Sequence, residues 1–263
     1  MTEITALDKA HAAMEADPQN DAARLRFFER LAGSELFLLL TEEARDENIT
    51  PELFDVADGQ FVLAFDREDR LARFFGRPAP YAALSGRVLS SMLAGQGVGI
   101  GLNLEVAESS ILIPAEALNW LAETLLHTPT EVRSNLAEVF APAGLPETLL
   151  TALDTKLATA VGLAQTAYLV GTGDDKGGRG HLLGFIGTMD GAEAALAKAA
   201  SEALTFSGVE AGSMDVGFFA PDDPTAQKLA SVGLRFDLPQ PEERVHVSAA
   251  PGSDPAKPPI LKS

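Results

Sequence analysis

The sequence predicts an α+β fold made of two small mixed α/β domains with mainly antiparallel sheets, led by an N-terminal helical hairpin and followed by a proline-rich C-terminal tail. Three observations carry that prediction. Two β-type runs meet at Asp58-Gly59, a dipeptide suited to the positive φ of a hairpin turn. The return run alternates Phe61, Leu63 and Phe65 with Gln60, Val62 and Ala64, so one strand face is strongly apolar and belongs on a core. Further along, residues 146–238 read as helix, strand, strand, helix, strand, helix, strand.

From the N-terminus, residues 5–16 and 20–31 predict two amphipathic helices broken at Asp17-Pro18-Gln19-Asn20. Proline disfavours helix at Asp17, and Asn20 or Asp21 caps the second helix. Leu25, Phe28 and Leu31 form a stripe for packing on the sheet that begins at Glu35–Leu40. After the Asp58-Gly59 hairpin come a helix over 67–76, an extended segment over 78–82, a helix over 86–94, and strands over 98–104 and 111–113. Pro114 opens a helix running to 126, since its missing N–H costs nothing there. These residues, 1–126, form the first expected domain. The interval 127–145 holds Pro129, Pro142 and Gly144 and reads as a linker, in which Val132, Leu136, Val139 and Phe140 fit either a short helix or a strand. The second expected domain spans 146–238: a helix over 146–161, a hairpin of strands at 167–170 and 182–186, then helix 190–206, strand 214–219, helix 224–232 and strand 234–238. Residues 239–263 contain six prolines and few large apolar side chains, which predicts a flexible tail.

Composition narrows the function classes. With 263 residues and a formal charge of −18, the chain is acidic in both expected domains, a field that repels nucleic acid and anionic lipid. No apolar run reaches the length of a membrane span, and the N-terminus lacks a basic segment followed by an apolar one, so a cytoplasmic protein is expected. The absence of cysteine removes disulfides, thiolate nucleophiles and zinc–thiolate sites.

The segments SELFLLL, DGQFVLAFDREDRL and GIGLNLEVAESSILIPAEALNWL resemble the N-terminal domain of the SseB family, the enhanced serine sensitivity proteins. The downstream PAGLPETLLTALDTKLATAVGLAQTAYLVG resembles the opening of that family's C-terminal domain. Two departures are Leu104, where the family often has proline after the asparagine, and the strand Leu234-Arg235-Phe236-Asp237, which lacks an aromatic ending. The resemblance implies a two-domain cytosolic bacterial protein named for a serine-sensitivity phenotype, without implying a chemistry.

Tested for chemistry, the motifs read first as structure. Gly95, Gly97, Gly99 and Gly101 run from a helix into a strand, the reverse of a nucleotide fingerprint, and fit a helix end. The cluster from Gly171 to His181 carries Asp174, Asp175 and His181 without metal-ligand spacing and fits a hairpin tip. The four histidines lie apart, and neither a GxSxG elbow nor an acid/base pair stands out. No cofactor is therefore expected. Two features suggest binding. Arg70, Arg73 and Arg77 share a helix face opposite Leu71, Phe74 and Phe75, a cationic strip suited to an acidic partner or to the second domain; the plainer reading is a face balanced by Glu68 and Asp69. Trp120 lies opposite Leu118, Leu121 and Leu125, marking contact on a second side of its helix. The expected function is a non-catalytic protein-interaction or regulatory module acting where its two domains meet. The alternative is a small-molecule-binding protein or an enzyme of amino-acid metabolism built on His181 with Asp174 or Asp175.

Overall fold

The computed structural model describes residues 3–44, 49–56, 59–126, 138–173, 179–208 and 214–241. Its helices and mixed sheets make an α+β fold. The expected flexible tail, apart from its first residues, lies outside the described residues, as does the Ala57-Asp58 step of the hairpin.

Helices α1 (Ala6–Ala16) and α2 (Asp21–Gly33) form the leading hairpin. Thr5 and Asp8 make a reciprocal capping box at α1, and the Asn20 side chain accepts from the Ala23 N–H at α2. The first sheet is built from β1 (Glu35–Leu39), β2 (Leu53–Val56), β3 (Gly59–Phe65), β4 (Tyr81–Ser85), β5 (Val98–Leu102) and β6 (Ile111–Ile113). Its order is β4-β1-β3-β5-β6, with β2 pairing β3 beyond the end of β1. All neighbours are antiparallel except β3 and β5. Helices α3 (Glu68–Phe75), α4 (Gly86–Leu93) and α5 (Ala115–Leu126) complete this half.

Strand β3 departs from the expected single apolar face. Leu63 and Phe65 pack with Leu39 and with Leu71 of α3, while Val62 and Ala64 join the opposite core with Leu7, Leu31, Leu89, Leu118 and Leu121. As a central strand beside a parallel neighbour, β3 is covered by helices on both sides. Strand β4 also starts later than the extended run at 78–82. Pro78 and Pro80 have no N–H to give a ladder, so pairing with β1 begins at Tyr81.

The second sheet contains β7 (Glu138–Phe140), β8 (Thr166–Gly173), β9 (Arg179–Ile186), β10 (Met214–Phe219) and β11 (Leu234–Asp237), ordered β10-β9-β8-β11, with β7 on β8. The β9–β10 pair alone is parallel. One face is covered by α6 (Glu147–Leu157) and α7 (Glu193–Phe206), the other by α8 (Pro224–Val232). Residues 138–140 lie in the expected linker, whose apolar residues fit either a short helix or a strand, and they form a sheet strand. The Phe140 ring lies so close over Gly171 that a Cβ there would meet it at 2.2 Å, and the missing side chain is what lets β7 dock.

The helical layers face each other, so α2 lies along α7 and Phe206 joins the first core. The glycines expected at the end of α4 divide into two roles. Gly95 and Gly97 take positive φ in the turn, while Gly99 and Gly101 leave room for Phe61, Leu63 and Leu104. Gly86 is tighter still, because a Cβ there would fall 1.9 Å from the Leu31 carbonyl oxygen where α4 crosses α2. Gly86→Ala is expected to cost about 3 kcal/mol through forced separation of these helices. Gly33→Ala, which meets nothing within 4 Å, should be neutral or stabilising. Urea unfolding midpoints of the two variants check this.

Candidate functional site

Arg70 and Arg73 of α3 and Arg77, just past the Gly76 cap of that helix, do not form one strip. Arg70 is 2% exposed and turned inward, whereas Arg73 and Arg77 are exposed. The reason lies far away in sequence. Arg70 forks onto both carboxylate oxygens of Asp8 in α1, and its Nη1 also donates to Asp66 Oδ1 at 2.8 Å. The remaining acceptors are satisfied too. Ser109 Oγ donates to Asp8 Oδ1, the Thr5 N–H to Asp8 Oδ2 at 2.9 Å, and Thr5 Oγ1 to Asp66 Oδ2 at 2.6 Å. Asn103, held at φ 49°, donates from Nδ2 to Ser109 Oγ and accepts from the Asp66 N–H at 3.1 Å. The network thus ties α1, the end of β3, α3 and the loop after β5 together.

Burial alone would raise the Asp8 pKa, but the bonds from Arg70, Ser109 and Thr5 outweigh it and hold the carboxyl well below the usual range. A depressed carboxyl contributes stability that is complete above its unfolded pKa of about 4 and is lost as pH falls through the folded value. Asp8→Asn should therefore cost about 3 kcal/mol at pH 7, and the gap to wild type should narrow only below about pH 4. Denaturant titrations from pH 7 down to pH 2 check both.

On the other face of the first sheet, Trp120 meets Phe28 of α2 edge-on, with ring centroids 5.3 Å apart, and meets Phe206 of α7 at 6.5 Å. It is 38% exposed. Arg73, Arg77 and Trp120 therefore sit on opposite sides of the sheet, not on one shared surface. One turn back along α7, Glu202 is buried and held by Arg87 of α4 through two bonds of 2.9 and 3.0 Å, and by Lys156 of α6 at 3.1 Å. Lys156 Nζ also lies 3.5 Å from Glu29 of α2. Burial acts to raise the Glu202 pKa, but Arg87 and Lys156 bring it below the ordinary value. Among the described residues, the two halves thus meet at a seam through the packing of Phe206 into the first core, where it touches Trp120, and through a four-membered charge network.

Beside that network is a cleft of about 650 Å³, lined on one side by Glu29, Arg30, Ser34 and Arg87 and on the other by Thr155, Lys156, Lys198 and Glu202. Sequence reasoning misses all eight of these residues as a site, because they are scattered over separate helices and their flanks. One signal is present. Ala195, Ala199, Glu202 and Phe206 recur at i, i+4, i+7 and i+11, a second stripe on a helix whose core stripe is Leu196, Ala200 and Ala203.

His181 stands on β9. Its Nε2 lies 3.1 Å from the Ala143 carbonyl oxygen, a contact the Nε2–H tautomer makes, and Asp174 and Asp175 lie outside the described residues. Asp223 caps α8. Among the described residues, no group of three or more His, Cys, Asp or Glu side chains is arranged to hold a metal ion.

Comparison with known proteins agrees with the first half of this picture. Residues 7–120 match the family described as the SseB protein N-terminal domain, a span that contains Asp8, Asp66, Arg70, Asn103 and Ser109 of the network but not Thr5. No curated protein and no solved structure matches the chain significantly.

Proposed function

We propose that this chain, which belongs to the SseB family, is a non-catalytic, cytosolic protein-interaction or regulatory module that engages an acidic segment of another protein through the exposed side of α3. The observation behind this reading is a cationic and aromatic surface on an otherwise acidic chain. The Arg77 guanidinium lies 4.8 Å over the Phe75 ring, the exposed Arg73 sits 3.7 Å from Asp69, and Tyr81, Phe74 and Phe75 are only partly covered. Arginine and aromatic side chains supply much of the energy at protein interfaces, and charge opposite to the partner's speeds encounter. A stacked guanidinium is also held ready, which reduces the ordering cost of docking.

The burial of Arg70 supports the same reading indirectly. A helix pinned from below by two aspartates presents its outer residues on a rigid base. The link to serine sensitivity comes only from the family's name. The cytosolic assignment rests on composition, and no described helix is long and apolar enough to cross a membrane.

The test uses a photo-crosslinking amino acid placed at Tyr81 in the full chain, with the same group at Lys228 on α8 as the control. The expected result is a discrete adduct from Tyr81 alone, joined through an acidic peptide and reduced about tenfold by the Arg73→Glu/Arg77→Glu pair. Equal adducts from both positions, or adducts indifferent to charge reversal, would contradict the reading.

A further inference from the structure

The seam cleft has a charge imbalance that the protein does not resolve by itself. Its lining holds four cations, Arg30, Arg87, Lys156 and Lys198, against two carboxylates, Glu29 and Glu202. The network of Arg87, Lys156, Glu202 and Glu29 accounts for both carboxylates. Arg30 and Lys198 are left half-buried, with no ion pair among the described residues. Partial burial makes an uncompensated cation costly, and here two of them face the same space from opposite walls, Arg30 on α2 and Lys198 on α7. The Thr155 hydroxyl on α6 adds a neutral donor to that wall.

We propose that this cleft binds a small organic dianion, a phosphate monoester or a dicarboxylate, held between Arg30 and Lys198. Two negative charges match the excess of two cations. The volume of about 650 Å³ falls within the range of metabolite sites, which run from roughly 300 to 1,000 Å³. The site exists only because α2 and α7 lie together, so an occupant touching both walls stabilises the seam increasingly as its concentration rises above its dissociation constant. That makes the ligand a regulator of how firmly the halves hold, independently of what docks on α3. Bulk electrostatics argue against a larger polyanion, because outside the cleft the −18 chain repels one.

Isothermal titration of the full chain against glycerol 3-phosphate, succinate and, as a monoanion control, acetate tests the proposal. One of the two dianions is expected to bind one per chain with a dissociation constant below about 1 mM, and to raise the melting temperature. Which one binds decides between the phosphate and the dicarboxylate. Lys198→Gln, which keeps length and polarity, should weaken that binding about tenfold or more, and so should Arg30→Gln, with circular dichroism unchanged in both. Binding no stronger than acetate for both dianions, or wild-type affinity in the Arg30→Gln/Lys198→Gln double variant, would overturn it.

Discussion

Glu202 is the carboxylate at which cations from both halves of the structure converge. It is a carboxylate removed from water within a helix, and it is tolerable there only because Arg87 from the first half and Lys156 from the second both reach it. Removing either cation leaves a buried charge without its full complement. The same geometry sets the position of everything around it. Phe206 follows Glu202 by one turn and enters the first core, Trp120 closes over it, and the opposite flank opens into the cleft. Charge fixes the register of α7 against α2, and apolar burial supplies the driving force.

A second buried ion network works within the first half and has a different consequence. Arg70, Asp8 and Asp66 join α1 to α3 around the end of the sheet. Because α1 packs on α2, and α2 is one wall of the seam, the position of that wall is set in part by an arginine on the far side of the sheet. The seam and the α3 surface are therefore separate in space but joined through rigid elements. Such a connection lets occupancy at one be felt at the other only if an element between them has two arrangements.

Local chemistry explains which parts of this structure are legible in the sequence. The Asn20 cap, the alternation in β3, Pro114 ahead of α5 and Asp223-Pro224 at α8 act within a few residues, and the elements they predict are present with boundaries shifted by a few positions at most. A helical wheel misplaces Arg70 because it sees only one helix, on which Arg70, Arg73 and Arg77 group together. The partner that buries Arg70 lies 62 residues earlier. Trp120 is legible as a contact residue, since an aromatic opposite a filled leucine stripe needs a second neighbour, but nothing local names Phe206. The β7 strand is ambiguous because three residues have too short a period to read, and its reason for being a strand, the space above Gly171, belongs to another element. The charge network is wholly non-local, with one residue on each of four helices.

Glu202, Arg87 and Lys156 link the two halves, and the cleft lies beside that link. Trp120 is the sole tryptophan in the chain and sits in the seam, so its emission reports on that contact directly. The decisive experiment is the emission maximum of Glu202→Lys, which places a cation against Arg87 and Lys156, recorded beside its far-ultraviolet circular dichroism. A shift to the red with native circular dichroism is expected, as each half keeps its own sheet while the seam opens to water. An unshifted emission maximum with native circular dichroism would show that Glu202 does not hold the halves together.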